Sequence, residues 1–490
     1  MYITMIASEC APVSKVGGLG DVVYGICREL EIRGNLVEII LPKYDCMRYD
    51  HIWDMSVVYE NLWVPWGNGG IPCTVWFGVV QGRKCFFIES HSPDNFFNRP
   101  DYYGFPDDAT RFTFFSKAAL EFMLKSNKHP DIIHCHDWQT GLVPVLLYEF
   151  YQFQGMQHSR VCYTIHNFKH QGITGTDILS TTQLNRPEYY FHPDRLQDNV
   201  HPKALNLMKG GIVYSNWVTT VSPRHAWEVR HTDQGHGLGD TLFQHEYKFS
   251  GILNGLDYEM WNPEIDPHIP QHYNMATIDK KYQNKEALRN RLWLAQDFKP
   301  IIAYVGRLDA QKGVNLVRHA LFYSLQQGCQ FILLGVGSDA SINQEFWQLK
   351  HEFNDNQDCH LEIGFDEELA HLVYAGADMI IMPSIFEPCG LAQLIALRYG
   401  TVPIVRGVGG LMDTVFDRDY SSKAITARNG YVFHEADHLG LESAMHRAIG
   451  LWYSVPDQFR ALVLQGMQYN YSWHRAGQFY LDTYDTIRNK

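Results

Sequence analysis

The chain has 490 residues, 45% apolar and 19% charged, with 41 basic against 54 acidic side chains and a net charge of −13. This composition excludes a disordered, collagen-like or coiled-coil chain, and the lack of a basic stripe argues against nucleic acid as the main partner. At ~100–200 residues per domain, the length predicts about two to four domains.

The chain opens Met1-Tyr2-Ile3-Thr4-Met5-Ile6-Ala7, which reads as a strand and not as a signal peptide. Further strands are predicted at Val37–Leu41, Asp131–Cys135, Val161–Ile165 and Trp217–Val221. Amphipathic stretches such as Val22–Arg33 and Arg111–Lys125 lie between them. This alternation predicts a parallel sheet with helices on both faces. The segment Ser90–Pro106 is rich in Asn, Asp, Pro, Tyr and Phe and reads as a surface loop. Trp261–Pro270 holds three prolines, all within its last eight residues, and reads as a stiff connector. The second half repeats the theme, with strands at Ile301–Val305, Phe331–Leu334, His360–Ile363, Met379–Met382, Val402–Val405 and Tyr431–Phe433. Helices at Glu367–Ala375 and Leu391–Tyr399 separate some of them. The expected organisation is a Rossmann-like domain over 1–250, a connector over 251–270, a second Rossmann-like domain over 271–470 and a helix over 471–490. No apolar run reaches the ~18 residues of a membrane span, so no membrane partner is expected. Ten cysteines without a C-x-x-C pair predict reduced thiols in a cytoplasmic setting.

Five motifs carry candidate chemistry. Ser14-Lys15-Val16-Gly17-Gly18-Leu19-Gly20-Asp21 follows the first strand and opens a helix. Glycine-rich backbone at a helix start can hold an anion, with Lys15 adding a full charge; an ordinary glycine turn is the alternative. His134-Cys135-His136-Asp137-Trp138 lies where a strand gives way to a loop. A carboxylate beside an indole suits a sugar, whereas a capping Asp beside a core Trp is the simpler account. Tyr163-Thr164-Ile165-His166-Asn167 sits at another strand end. The pairs His134/His136 and His166/His170 suggest metal ligands, but no third ligand is evident, so no metal is expected. Val305-Gly306-Arg307-Leu308-Asp309-Ala310-Gln311-Lys312-Gly313 sends two cations from one strand toward a phosphate, or else toward a surface ion pair. Pro383-Ser384-Ile385-Phe386-Glu387-Pro388-Cys389-Gly390-Leu391 ends a strand and starts a helix, with Glu387 upstream to meet hydroxyls or developing charge. Gly407, Gly409 and Gly410 form a further loop one strand later. Anion-binding loops at strand ends of both halves predict a ligand in a cleft between two domains.

The motifs Lys15–Asp21, His136-Asp137-Trp138, Thr164–Asn167 and Phe386–Leu391, in this order, resemble those of bacterial glycogen synthases and plant starch synthases. Val16 and the segment Lys43-Tyr44-Asp45-Cys46 are similar to cyanobacterial members and to plant starch synthases of the third and fourth classes. The resemblance implies the GT-B fold, two Rossmann-like doubly wound domains facing across a cleft, with the C-terminal helix packed back on the first. It implies a retaining glucosyltransferase that moves glucose from ADP-glucose to the non-reducing end of an α-1,4-glucan and releases ADP, with no cofactor. Lys15, Gly18, Arg307 and Lys312 are then expected on the donor phosphates. Gly364 and Phe365 are expected beside the adenine, and Asp21, His166, Asn254 and Glu387 on the glucose. Cys389, Gly390 and Leu391 complete the donor loop, and Tyr102, Tyr103, Asp137 and Trp138 face the acceptor glucan. The catalytic set would be Lys15, His166, Arg307, Lys312 and Glu387, with closure of the two domains needed to complete it. Eight positions after Glu387 many retaining GT-B enzymes carry a second glutamate; here the residue is Ile395, as in the glycogen synthases. A sugar-nucleotide epimerase on the same fold, and a glucan-binding partner without turnover, are the competing functions.

Overall fold

The computed structural model describes residues 1–337 and 340–489. Contacts divide the chain into two units. Met1–Gly255 and the C-terminal helix Trp473–Arg488 form one, and Leu256–Ser472 forms the other.

The first unit is built on a nine-stranded sheet. From edge to edge it runs Phe249–Gly251, Trp217–Thr220, Arg160–Ile165, Ile132–His136, Tyr2–Ile6, Leu36–Pro42, Arg83–Ser90, Gly69–Val80 and Trp53–Trp66. The first seven are mutually parallel; Tyr2–Ile6 lies between Leu36–Pro42, with Ile3 opposite Val37, and Ile132–His136, with Ile3 opposite Ile132. Helices such as Gly18–Ile32 and Asp108–Lys125 supply the crossovers. Strands covered on both faces need continuous apolar runs, which is why five of these seven were legible. The antiparallel hairpin Trp53–Trp66 and Gly69–Val80, and the strands Arg83–Ser90 and Phe249–Gly251, are absent from the sequence expectation. The outer strand of that hairpin is largely exposed, and it mixes polar and apolar residues with several register shifts, so no clean period survives. A Cβ on Gly70 would lie 2.4 Å from the Trp63 ring, so glycine lets that indole lie across the hairpin.

The segment Ser90–Pro106 is not a plain surface loop. Phe96 and Phe97 are buried in the core, and buried Arg111 donates to the carbonyls of Phe96 and Tyr102.

The C-terminal helix belongs to the first unit's core through Trp473, Ala476, Tyr480, Tyr484 and Ile487. Its approach depends on glycine: a Cβ on Gly25 would sit 2.0 Å from Trp473 Nε1. The Tyr484 hydroxyl lies 2.7 Å from His134 Nδ1.

The second unit holds a six-stranded, all-parallel sheet in the order Cys359–Ile363, Gln330–Gly335, Ile301–Val305, Met379–Met382, Val402–Arg406, Tyr431–Phe433. Counted along the chain this is 3-2-1-4-5-6, the Rossmann order. The proline-rich stretch 262–270, expected as connector, is part of this unit. Asp266 is wholly buried, accepts from the Tyr399 hydroxyl at 2.5 Å and pairs with His371 Nδ1 at 2.7 Å, and Trp261 stacks on His371. Burying a carboxylate with these partners fixes the segment, so the prolines stiffen a packed strap and not a free linker. No helix among the described residues is long and apolar enough to cross a membrane.

Candidate active site

In an open parallel sheet, ligands gather outside the carboxyl ends of strands where the strand order reverses. In the first unit this point lies between Tyr2–Ile6 and Ile132–His136; in the second it lies between Ile301–Val305 and Met379–Met382. The loops leaving these four strands are Ala7–Gly17, Asp137 onward, Gly306–Gly313 and Pro383–Leu391. Each holds one of the sequence motifs.

In the first unit, Lys15 and Asp21 form an ion pair at 2.8 Å, with both side chains partly exposed. The glycine loop is less open to an anion than its sequence suggests. The N–H groups of Val16 and Gly17 already donate to Glu9 Oε2, at 2.7 and 3.1 Å. Glu9 is buried, and burial raises its carboxyl pKa above the usual range. On the neighbouring strand end, Asp137 adopts φ 56°, a conformation that costs a non-glycine residue energy. Its Oδ1 accepts from the His166 N–H at 2.7 Å and lies 3.4 Å from the Asn167 N–H. Burial pushes the Asp137 carboxyl up to about 7, against those two hydrogen bonds. His134, His136 and His166 follow one another through ring contacts. His134 Nε2 lies 2.6 Å from Thr164 Oγ1, and His136 Nδ1 lies 3.1 Å from His166 Nε2. Burial lowers His134 to about 3 and holds His136 and His166 well below the ordinary range, so all three are neutral at pH 7. The His134/His136 spacing therefore serves an internal hydrogen-bonded stack, and no group of three metal-holding side chains occurs among the described residues. Asn254 is 6% exposed, and its Oδ1 has no hydrogen-bond partner among the described residues.

In the second unit, Arg307 is 56% exposed and lies 3.3 Å from Asp309. Asp309 also caps the turn after it by accepting from the Lys312 N–H at 2.9 Å. Lys312 Nζ reaches Glu387 Oε2 at 2.6 Å, across 75 residues of sequence, and the Ser384 hydroxyl donates to the same oxygen at 2.9 Å. Both expected phosphate-binding cations therefore stand in ion pairs in this structure. Each keeps further N–H donors, since a guanidinium has five and an ammonium three. The loop carrying Glu387 is clamped. Arg406 donates to the Ile385 carbonyl at 2.8 Å, and Gln393 Nε2 to the Cys389 and Gly390 carbonyls at 3.0 Å. Gly390 takes φ 75°, and a Cβ on Gly409 would fall 2.0 Å from the Glu387 carbonyl oxygen. The next helix starts at Ala392, one residue later than expected. Gly364 (φ 158°) precedes Phe365, which is 86% exposed at the end of the strand Cys359–Ile363.

Comparison with known proteins gives the same division. Residues 2–244 match the starch synthase catalytic domain, and residues 287–451 match the glycosyl transferases of group 1. Glycogen synthase 1 of Trichormus variabilis is 65% identical over the full length of both chains. Glycogen synthase 2 of Methylococcus capsulatus is 63% identical over 99% of this chain and 100% of its own. The chain belongs to the glycogen and starch synthase family. The catalytic domain of starch synthase IV from Arabidopsis thaliana, solved with ADP and acarbose, matches with a TM-score of 0.96 at 42% identity, covering 100% of this chain and 99% of that one. The fold is accordingly GT-B, with two Rossmann-like units.

For a synthase of this family, the residues expected at the acceptor are less exposed than the sequence implied. Trp138 is half-buried, edge-on to Phe112 with ring centres 5.6 Å apart. The Tyr102 hydroxyl contacts the Cys46 carbonyl at 3.3 Å, and the Tyr103 hydroxyl lies 2.8 Å from Glu9 Oε1 and 2.9 Å from Ser8 Oγ. Sequence reading missed Glu9, Ser384 and Arg406. A glutamate as the one charge in the mostly apolar Ile6–Val13 stretch was the available signal, because a charge there must find partners. Ser384 stands three residues before Glu387 in the same motif, but nothing local shows that it bonds that carboxylate, and Arg406 reaches the loop from another strand.

Proposed function

We propose that this chain transfers glucose from ADP-glucose to the non-reducing end of an α-1,4-glucan, with retention, and releases ADP. The observation that carries the reading is the arrangement at the second unit's strand-order reversal. There Arg307 and Lys312 bring two cations and Glu387 a buried carboxylate on loops of adjacent strands. The full-length relatives are named glycogen synthases, which supports the glucan, and the starch synthase IV structure was solved with ADP, which supports the nucleotide.

Breaking the bond between the glucose anomeric carbon and the phosphate oxygen puts negative charge on the departing diphosphate and positive charge on the sugar. Arg307 and Lys312 in the second unit, with Lys15 and Gly18 in the first, stabilise the leaving group. Preorganised charge of this kind is usually the largest catalytic term. The acceptor 4-hydroxyl oxygen bonds to the anomeric carbon on the face the phosphate leaves, and its proton passes to the departing phosphate oxygen. This same-face route gives retention without a carboxylate nucleophile. Glu387, held by Lys312 and Ser384, orients the sugar and offsets its positive charge. Asp21, Asn254 and the His166 backbone carbonyl are assigned to the glucose, with the unpartnered Asn254 Oδ1 suited to a hydroxyl. Phe365 and Gly364 are assigned to the adenine, and Cys389, Gly390 and Leu391 shape the loop beside the diphosphate. Trp138, Asp137 and the Tyr102–Tyr103 segment are assigned to the glucan side. The step balances without a cofactor. All ten cysteines are free thiols, which suits a reducing cytoplasm.

Glucose-labelled ADP-glucose and UDP-glucose, each incubated with glycogen and the protein, test the proposal. Label should enter glycogen from ADP-glucose with release of ADP. Incorporation from UDP-glucose alone would overturn the donor assignment, and none from either would overturn the activity.

A further inference from the structure

We propose that Glu9 and Tyr103 are positioning residues that set the glycine loop Lys15–Gly18 and couple it to the Tyr102–Tyr103 segment. The inference rests on the functional reading above, in which the loop serves the donor and the segment serves the acceptor.

Glu9 is 4% exposed. A carboxylate so placed is tolerated only with hydrogen-bond donors around it. Glu9 has three, and all come from segments assigned to substrate. Oε2 takes the N–H groups of Val16 and Gly17, at 2.7 and 3.1 Å. Oε1 takes the Tyr103 hydroxyl at 2.8 Å, from 94 residues away. A Cβ built on Gly17 or Gly18 would meet nothing within 4 Å, so these two positions have open space beside them. The Lys15–Asp21 ion pair ties one side chain of the loop, and the hydrogen bonds to Glu9 hold its backbone N–H groups. On its other side the Tyr103 ring packs against Phe112, with centres 5.7 Å apart, and Phe112 in turn supports Trp138. One buried carboxylate thus joins the donor loop to the aromatic residues of the acceptor side. A shift of Tyr103 changes what Glu9 offers to the loop, and a shift of the loop changes what holds Tyr103. Tyr103 acts through this bond, and its hydroxyl is not the group that meets glucan.

The test uses Tyr103→Phe, Glu9→Gln and the double variant of the full chain. ADP-glucose and glycogen are varied separately, and ADP binding is measured by calorimetry. Tyr103→Phe removes one oxygen and keeps the ring, yet it should raise the apparent KM for ADP-glucose roughly fivefold or more, because a hydrogen bond to a buried charged group is lost. Glu9→Gln should do the same, and the double variant should be no worse than Glu9→Gln alone. A Tyr103→Phe enzyme changed only in its KM for glycogen, or single effects that add in the double variant, would overturn the coupling. If Glu9→Gln fails to fold, Tyr103→Phe decides alone through its affinity for ADP. If the parent protein incorporates no glucose, the functional reading fails, while the ADP affinities of parent and Tyr103→Phe still report whether the two segments are coupled.

Discussion

At the scale of the residue, the site is a set of charges already engaged with one another. Lys15 is bound by Asp21, Arg307 by Asp309 and Lys312 by Glu387. Lys15 is 41% exposed, so its loss should not unfold the chain. Lys15→Ala is expected to lower kcat by a factor on the order of 10² or more while leaving the melting temperature nearly unchanged. A variant within about threefold of the parent would remove Lys15 from the reaction. Trp138 differs, because its ring is half-buried against Phe112. Trp138→Ala should raise the apparent KM for glycogen, leave that for ADP-glucose nearly unchanged, and also lower the melting temperature. Asp137 offers a pH test. Its carboxyl titrates at about 7 when folded, against ~3.9 in an unfolded chain. The folded form therefore holds the proton more tightly. The stability this supplies is complete below about pH 4 and is lost as the pH rises to about 7. Asp137→Asn keeps an oxygen for the His166 N–H but does not titrate. Melting curves from pH 4 to 8 should show the variant gaining on the parent up to about pH 7 and no further. A constant difference would mean that Asp137 is ionised throughout.

At the scale of the element, strand ends and one helix make the first unit's site possible. The histidine stack ties three of its components together: strand Ile132–His136, strand Arg160–Ile165 and the C-terminal helix through Tyr484. His134 and His136 are wholly buried and held neutral, far below the ~6.5 of a free imidazole. Their folded pKa values lie below the unfolded ones, so the stability they carry is present above about pH 6.5 and is lost as the pH falls, for His134 toward about 3. This runs against the Asp137 effect, and the histidines outnumber that one carboxyl. Melting temperature should therefore fall on acidification below about pH 6. The helix itself docks through glycine. Gly25→Ala would drive a methyl into the Trp473 indole, and overpacking of this kind typically costs about 1–3 kcal/mol. Denaturant unfolding should show a loss of that size, whereas an unchanged midpoint would mean that Trp473 has room to move.

At the scale of the whole molecule, the chain builds one unit, then the other, and then returns. The first unit's core is incomplete without residues more than 200 positions downstream of its last strand: Trp473, Ala476, Tyr480, Tyr484 and Ile487 lie beyond the Phe249–Gly251 strand. The second unit, Leu256–Ser472, has its own sheet and its own buried clusters. Ending the chain at Ser472 should therefore weaken the first unit selectively. Calorimetry of the truncated chain is expected to show a first-unit transition moved to lower temperature and a second-unit transition little changed. Equal shifts in both would show that the helix stabilises the molecule as one cooperative block.

The two Rossmann-like halves were legible in the sequence, because strands covered on both faces read as near-continuous apolar runs, as in Ile301–Val305 and Met379–Met382. The sequence also determined the family, through motifs set at the ends of those strands. It did not reveal the hairpin Trp53–Trp66 and Gly69–Val80, whose half-exposed strands lack that regularity. Nor did it reveal that the prolines of 262–270 belong to a packed strap around Asp266. Which charge meets which is set by the folded chain. Lys312 finds Glu387 across 75 residues, Glu9 finds Tyr103 across 94, and His134 finds Tyr484 across 350. Local periodicity reports whether a residue faces the core or the solvent. The partner of a buried polar group is set by the loops that the sheet order brings side by side, and that order is a property of the folded chain.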